Sequence, residues 1–135
     1  MQGIKLISLE KFSNSFGDLV VAEFEKNFYF KVKRIFYITS KHGTVRGKHA
    51  HKAHMQFMIC INGSCSLEFD NGNEKETILL DRNDVGVEVQ AGIWGEQTYL
   101  EDNTTLLVLS DSLYDEADYI RNYDEFKKYI QTDKK

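Results

Sequence analysis

The stretch RGKHAHKAH, residues 46–54, contains three of the four histidines of the chain. An imidazole can bind a metal, carry a proton at neutral pH or, when protonated, help to hold an anion. His49 and His51 are two residues apart, so on a β-strand their side chains point to the same face. This spacing predicts either a pair of metal ligands or an acid/base pair that faces one cavity.

The elements that would carry this pair are short apolar runs separated by turn formers. Runs such as RIFYITS, QFMICI and TTLLVLS are rich in β-branched and aromatic residues. Asn62-Gly63 lies between two such runs and predicts a β-hairpin, and residues 70–73 predict a second turn. Closely spaced strands with tight turns predict an all-β antiparallel sandwich or barrel, with residues 1–135 forming a single domain.

The C-terminal region, residues 115–131, changes to a helical period. Its aromatic and aliphatic side chains recur at helical spacing, with acidic residues early and lysines late. We therefore predict one amphipathic helix, or two short ones, packed against the barrel through Tyr119, Ile120, Tyr123, Phe126 and Ile130.

The charge balance limits the classes of partner. A formal net charge of −4 gives no general reason to bind nucleic acid or a membrane surface, so an anionic ligand would have to meet a local basic cluster. The N-terminal segment carries polar and acidic residues where a signal peptide needs an apolar run, and no stretch approaches the roughly 18 apolar residues of a membrane span. We expect a cytoplasmic protein with no nucleic-acid or membrane partner.

The spacing of the glycines, the histidine pair and Gln56 across residues 43–63 resembles the first signature motif of the cupins, which are small jelly-roll barrels. In metal-binding cupins a glutamate ligand stands where this chain has Gln56, and a later strand supplies a third histidine. An amide is a poor replacement for that carboxylate, and no histidine follows His54. His54 itself would reach the pair only through an irregular backbone. We therefore predict no metal and no cofactor, and proton transfer by His49 and His51.

Four segments make the resemblance more specific. They are RGKHAHK, the turn NGSC, the lone tryptophan in VGVEVQAGIWGE, and the ending YDEADYIRNYDEFKKYI. Together they resemble the nucleotide-sugar 3,4-ketoisomerases, from about Ser8 to Ile130. The resemblance implies a cupin-type antiparallel jelly-roll barrel with a short C-terminal helix or helices, and a homodimer.

The resemblance also implies an activity. These isomerases move the ketone of dTDP-4-keto-6-deoxy-D-glucose from C4 to C3 through an enediol, without a metal. The product would feed an aminotransferase that makes 3-amino-3,6-dideoxyhexoses for lipopolysaccharide and other surface glycans. By resemblance, His49 and His51 are the acid/base pair and Tyr37 is a hydroxyl near the sugar. Which histidine takes the C3 proton stays open.

Candidate contacts to the substrate follow from charge and from the family positions. Arg46 is expected to bind phosphate or sugar, because a guanidinium forms bidentate, charge-assisted hydrogen bonds. Lys33 is a second cationic candidate; it and Arg34 are adjacent, so at most one of them faces the pocket. The family positions near the nucleotide-sugar are held here by Gln56, Asn62, Ser64 and Trp94.

Two positions depart from the family pattern. Many relatives have arginine in an SRG motif near the N-terminus, where this chain has Phe16. Several have histidine or arginine directly after the pocket tryptophan, where this chain has Gly95. Both positions bear on the C4 configuration of the product, so the galacto and gluco products both stay open.

Three other functions compete with ketoisomerisation. A cupin-type nucleotide-sugar 3,5-epimerase uses a comparable base, but its family has a longer chain and a different His/Asp arrangement. A non-catalytic sugar-binding cupin would not need both histidines. A metal-dependent cupin oxygenase would need the missing glutamate and third histidine.

Overall fold

The computed structural model describes residues 1–133, which fold mainly into antiparallel strands. In chain order the elements are β1 (Ile4–Ser8), β2 (Glu10–Asn14), β3 (Gly17–Val21), β4 (Arg34–Ser40), β5 (Val45–His51), β6 (Gln56–Asn62), β7 (Cys65–Asp70), β8 (Lys75–Leu80), β9 (Val85–Val89), β10 (Trp94–Tyr99), β11 (Thr104–Ser110), a 3₁₀ turn (Glu116–Asp118), β12 (Tyr119–Ile120) and the helix α1 (Tyr123–Asp133). The predicted all-β antiparallel fold with a C-terminal helix is confirmed.

The strands form two five-stranded sheets and one hairpin. The first sheet has the order β1–β9–β6–β11–β4, and the second has the order β12–β5–β10–β7–β8. The remaining strands, β2 and β3, pair with each other. The inner faces of the two sheets meet in a core to which Met58, Leu106 and Val108 contribute from the first sheet and Leu67 and Phe69 from the second. This is the jelly-roll arrangement expected of a cupin.

The outer face of the first sheet is also apolar. Phe57, Ile59 and Leu109 lie there and pack against Leu9 and Phe28 of the N-terminal arm. Between the arm and the sheet runs a groove of about 550 Å³, which we call the outer groove. Its lining consists of Leu9, Asp18, Val20, Ala22, Phe28, Val32, Ile35, Ile59, Ile61, Asn83, Leu107 and Leu109.

The connection at Asn62-Gly63 is a turn, but the predicted hairpin is wrong. Strand β6 pairs with β9 and β11, whereas β7 pairs with β8 and β10, so this turn carries the chain from one sheet to the other. Gly63 has φ 77°, and a Cβ there would lie 2.5 Å from the Thr104 hydroxyl oxygen. Turn residues therefore specify a reversal of the chain without specifying that the flanking strands pair.

The C-terminal region differs from the prediction in its first part. Tyr119 and Ile120 form strand β12, which pairs with β5 at His51 and Ala50, so they are not helical. The helix begins at Tyr123, preceded by Asn122, whose side-chain oxygen accepts a hydrogen bond from the Glu125 amide. No helix within residues 1–133 is long and apolar enough to cross a membrane.

Candidate active site

The histidine pair is positioned by a bulge in β5. Gly47 and Lys48 have positive φ values of 85° and 60°. Across the sheet Gly47 faces Glu96 and His49 faces Gly95, so Lys48 is an extra residue without a cross-strand partner. Beyond this point the strand is regular. His49 and His51 therefore share the inner face, and the fully buried Ala50 points outward.

A cavity of about 400 Å³ opens between the two sheets in front of His49. Its walls combine apolar side chains from the first sheet with polar and charged side chains from the second sheet and from the segment around β12. The lining residues are Phe36, Ile38, Val45, Arg46, Gly47, His49, Gln56, Met58, Gln97, Val108, Tyr119 and Arg121. A mixed lining of this kind suits a ligand that has both polar groups and an apolar face.

His49 lies in the wall of this cavity, and one of its ring nitrogens has almost no accessible surface. Its Nδ1 is buried and has no hydrogen-bond partner among the residues that the structure describes. The ring lies edge-on to Tyr119 and to His51, at centroid distances of 5.0 and 5.1 Å. Burial lowers the pKa of His49 below its ordinary value, partly offset by the Gly47 backbone. The imidazole is therefore neutral at physiological pH and can accept a proton.

His51 lies deeper, in a narrow extension of the cavity that Gln56 and His54 also line. Its Nδ1 is 3.0 Å from Oδ2 of Asp118, and its Nε2 is 3.3 Å from the Gln56 amide nitrogen. Burial lowers the pKa of His51 to about 4, even though the hydrogen bond with Asp118 acts in the opposite direction. His51 is thus a second neutral imidazole, but one with both nitrogens engaged.

Asp118 joins His51 to the third histidine. Nδ1 of His54 is 3.3 Å from the same Oδ2, and the two imidazole rings are stacked with centroids 5.4 Å apart. The other carboxylate oxygen, Oδ1, accepts a hydrogen bond of 2.8 Å from the Ala53 amide. His51, His54 and Asp118 bring three possible metal-ligand atoms within 4.8 Å of one another, and the hydrogen bond between His51 Nδ1 and Asp118 Oδ2 joins two of them.

Two arginines give the cavity its positive charge. Arg121 forms hydrogen bonds of 2.6 and 2.9 Å with both oxygens of Glu116, and its guanidinium lies 4.2 Å from the Tyr119 ring centroid. The hydrogen bonds from Arg121 lower the pKa of Glu116 to about 2. Arg46, by contrast, forms no ion pair within residues 1–133. Arg46 is thus the cation of the cavity wall that is available to an anionic ligand.

The structure brings together four of the predicted site residues: Arg46 and His49 in the cavity wall, and Gln56 and His51 at its floor. Gly95, singled out as a departure from the family, also lines the extension around His51. These residues come from β5, β6 and β10, so the site spans both sheets.

The side chains of Tyr37 and Trp94, by contrast, point away from the cavity of their own chain. In β4 the inward residues are Phe36 and Ile38, and Tyr37 between them is 70% exposed on the outer face. Trp94 lies opposite Ala50 in the sheet, so it shares the outer face with Ala50 and packs against Phe126 of α1.

Asn62, Ser64 and Lys33 also lie outside the cavity. Asn62 is six residues beyond Gln56 along β6, or about 20 Å at the strand rise, and donates to the Asn103 carbonyl. Ser64 donates to the Glu101 carboxylate at 2.9 Å. Lys33 is exposed just before β4, with its backbone amide bonded to Ser110. Neither the predicted hairpin nor the alternation of side chains along a strand had indicated that these three residues lie outside the cavity.

The sequence analysis missed Asp118, Tyr119 and Arg121, all of which touch the site or its histidines. It missed them because residues 115–131 were assigned to a helix, in which Tyr119 and Arg121 would have lain on nearly opposite faces. The signal that was present is the alternation of Tyr119, Ile120 and Arg121. Two residues that line the cavity flank one that is 5% exposed beneath α1.

Comparisons with known proteins agree with this geometry. The profile of the family described as "FdtA: WxcM-like, C-terminal" matches residues 2–131. A TDP-4-oxo-6-deoxy-alpha-D-glucose-3,4-oxoisomerase from Aneurinibacillus thermoaerophilus is 43% identical over 127 residues, which cover 93% of this chain and 91% of that protein.

Two crystal structures are similar over nearly the whole chain. QdtA, a sugar 3,4-ketoisomerase from Thermoanaerobacterium thermosaccharolyticum in complex with TDP, superimposes with a TM-score of 0.93 at 32% identity, covering 98% of each chain. WlaRB, a TDP-quinovose 3,4-ketoisomerase from Campylobacter jejuni, superimposes with a TM-score of 0.88 at 36% identity, covering 95% of this chain and 99% of that one.

Proposed function

Because this chain belongs to the FdtA family (WxcM-like, C-terminal), we propose that it is a sugar-nucleotide 3,4-ketoisomerase that acts on dTDP-4-keto-6-deoxy-D-glucose. The observation that carries the proposal is one cavity with two inward-facing neutral imidazoles beside a guanidinium that has no ion pair within residues 1–133. Proton transfer and anion binding are the two capacities that this reaction requires.

The reaction needs acids and bases but no net oxidant. The C4 ketone acidifies the C3–H bond, so a base can remove that proton while the electron pair forms the C3–C4 double bond and O4 gains a proton. The resulting enediol collapses when the O3–H proton leaves, C3 becomes the ketone and C4 receives a proton. One hydrogen has moved from C3 to C4 and one from O3 to O4, so atoms and electrons balance.

His49 and His51 are the acid/base pair of this proposal. His49 suits direct contact with the sugar, because it lines the larger cavity. His51 lies next to it, ring to ring at 5.1 Å, and suits the return of a proton. Tyr119 lines the cavity beside both imidazoles, where we had expected the Tyr37 hydroxyl, and would donate to the enediolate oxygen.

Arg46 is proposed to bind the diphosphate. Its guanidinium is the cation of the cavity wall without a carboxylate partner among residues 1–133, and a diphosphate offers it bidentate acceptors. The product, a 3-keto sugar nucleotide, is a substrate for transamination, and we place the enzyme in the cytosolic synthesis of 3-amino-3,6-dideoxyhexoses for surface glycans.

We further infer that the protein is a homodimer that buries the outer groove. The groove is mainly apolar; Ile35 in its lining is 64% exposed, and Tyr37 on the neighbouring part of β4 is 70% exposed. Oδ1 of Asn83, in the groove lining, is buried without a hydrogen-bond partner in the described part of the chain. Contiguous exposed apolar surface of this kind is typical of protein interfaces.

An NMR time course in D₂O with dTDP-4-keto-6-deoxy-D-glucose and a chelator tests the activity. We expect deuterium at C4 together with a ketone at C3, and the C4–H coupling in a parallel H₂O reaction gives the galacto or gluco configuration. Deuterium at C3 and C5 with the ketone still at C4 would identify an epimerase instead. An unchanged spectrum, with and without added divalent metals, would leave a sugar-binding protein without turnover.

A further inference from the structure

Asp118 occupies a position that the proposed reaction does not yet explain. Its side chain is only 7% exposed, and its backbone is fixed on both sides. The Asp118 carbonyl accepts from the Lys52 amide at 2.9 Å, and the Asp118 amide donates to the Asp115 carbonyl at 3.0 Å. These two bonds fix the main chain of Asp118 beside β5, at a position from which its carboxylate reaches His51.

The hydrogen bonds of Asp118 determine which nitrogen of His51 carries the proton. A carboxylate has only acceptor atoms, so Nδ1 of His51, 3.0 Å from Oδ2, must be the N–H donor. In a neutral imidazole Nε2 is then an acceptor, and the Gln56 amide nitrogen lies 3.3 Å from it as the matching donor. Both contacts require the same tautomer.

His54 lies beside the same carboxylate oxygen. Its Nδ1 also lies within reach of Oδ2, at 3.3 Å, and its ring is stacked on that of His51 with an interplanar angle of 16°. The carboxylate thus accepts from Nδ1–H of His51 on Oδ2 and from the Ala53 amide on Oδ1, with His54 Nδ1 at ion-pair distance. This set of donors keeps Asp118 in one orientation, and with it the ring plane of His51.

We propose that Asp118 is a positioning residue that holds His51 as the Nδ1–H tautomer, so that the Nε2 lone pair faces the Gln56 end of the cavity. For its catalytic consequence this inference rests on the proposed function. A proton that arrives on Nε2 gives an imidazolium whose Nδ1–H points at the carboxylate, which stabilises the cation. When Nε2 returns the proton, the starting tautomer is restored. Asp118 itself gains no proton in either step.

Strand β12 is what makes this arrangement possible. Tyr119 pairs with His51 across the sheet, which brings the preceding residue, Asp118, to the open side of His51. Ile120, on the opposite face, is anchored under α1 by Phe126. The two-residue strand thus fixes Asp118 against the imidazoles while it places Tyr119 in the cavity wall.

The test compares Asp118→Asn with Asp115→Asn, in protein whose imidazoles are labelled with ¹⁵N. Asp115 is the cap of the 3₁₀ turn and accepts from the Ala117 amide, which asparagine can also do, so this control removes the same charge nearby without touching a histidine. Nitrogen chemical shifts in the ligand-free proteins report the tautomer. We expect His51 to be Nδ1–H in the wild type and in Asp115→Asn, and to become Nε2–H or a mixture in Asp118→Asn.

Turnover provides the second readout. Loss of an orienting carboxylate costs about 10²–10⁴ in kcat where a histidine depends on it for its tautomer. We expect Asp118→Asn to lose kcat in that range with KM changed less than threefold, and Asp115→Asn to keep both. An Asp118→Asn variant with the wild-type tautomer and rate would overturn the proposal.

The wild-type spectrum alone tests the proposed tautomer of His51, even if Asp118→Asn does not fold. An Nε2–H tautomer of His51 in the wild type would overturn the proposal without any variant. The tautomer is also measured without substrate. If the wild type gives the Nδ1–H signal but no isomerisation, the positioning role stands and the proposed function fails.

Discussion

The cavity and the outer groove are two regions built by the same three strands, β4, β6 and β11, on opposite faces of one sheet. Phe36, Met58 and Val108 face the cavity, and their direct neighbours Ile35, Ile59 and Leu107 face the groove. The cavity adds histidines and arginines from other elements, whereas the groove is closed by the aliphatic and aromatic arm. On these strands a shift of one residue along the chain determines whether a side chain lines the cavity or packs in the groove.

The two regions differ in what a substitution should disturb. In the cavity the important properties are protonation states and charge, which act on turnover and ligand binding. In the groove the important property is apolar area, which acts on folding and association. Variants in the cavity should therefore change turnover and ligand binding, whereas variants in the groove should change stability and association.

The largest effect is expected on the cavity side, from replacement of the histidine pair. His49→Asn and His51→Asn should each lower kcat by about 10²–10⁴, because each removes a group that transfers a proton. His42→Asn is the matched control, since this exposed histidine lies outside the cavity. Steady-state kinetics and TDP titration calorimetry check the prediction, and a wild-type rate in either cavity variant would refute the acid/base assignment.

The second effect is a pH dependence of stability to which His51 in the cavity contributes. The pKa of His51 is about 4 when folded and near 6.5 when unfolded, so as the pH falls below 6.5 only the unfolded chain takes up this proton. The free energy of unfolding should therefore be greatest above pH 6.5 and should lose up to about 3 kcal/mol as the pH falls through 4.

Urea denaturation at pH 7 and pH 4.5 measures this contribution. The loss of stability between the two pH values should be about 2 kcal/mol smaller in His51→Asn than in the wild type. Leu109→Ala, on the groove face, should lower stability by about 2–5 kcal/mol at both pH values alike. Equal pH dependence in the wild type and His51→Asn would contradict the prediction.

A third, intermediate effect concerns ligand binding. Arg46→Ala should weaken TDP binding and raise KM by about 10- to 100-fold, which corresponds to the loss of a charge-assisted hydrogen bond to the diphosphate. Arg82→Ala removes an equal charge that is already paired with Asp84 on the surface and should leave both values unchanged. Calorimetry with TDP distinguishes the two, and unaltered affinity in Arg46→Ala would point to another anion site.

On the groove side a smaller effect is expected on association. Ile35→Glu should raise the dimer dissociation constant at least tenfold, because it places a charge on apolar surface that the partner covers. Leu79→Glu is the control, since Leu79 is similarly exposed, at 54%, on the second sheet. Light scattering across a dilution series gives the constant. Loss of dimer in Leu79→Glu but not in Ile35→Glu would move the interface to the second sheet.

The smallest effect on activity is expected at Trp94. Because its ring packs on Phe126 beneath α1, Trp94→Phe should cost about 1 kcal/mol of stability and change kcat/KM less than twofold. Thermal unfolding and kinetics check this prediction. A tenfold loss of kcat/KM at unchanged stability would restore the tryptophan to the site.

The sequence was sufficient for the parts of the site that depend on local spacing. The HxH pattern predicted that His49 and His51 share a face, and the bulge leaves that part of β5 regular. It did not predict the face of Tyr37, because both sets of alternate residues in RIFYITS are largely apolar. A sheet that is covered on both faces loses the polar/apolar alternation that identifies the inside.

The remaining differences between the prediction and the structure arise from pairing between strands that are distant in the sequence. Trp94 faces outward because it lies opposite Ala50, and this register cannot be read from either strand by itself. Asp118 was hidden because the residues after it have both a helical and an alternating pattern, and pairing with β5 selects the strand. In each case tertiary pairing overrides a valid local pattern.

The extra residue in β5 also determines how this site can change over time. In an unbroken strand Arg46 would share its face with Lys48 and Ala50, opposite His49 and His51. The insertion of Lys48 brings the arginine that meets the anion and the imidazoles that move the protons to the same side. Point substitutions can alter either capacity, but the loss of a single codon would separate them onto opposite faces of the sheet.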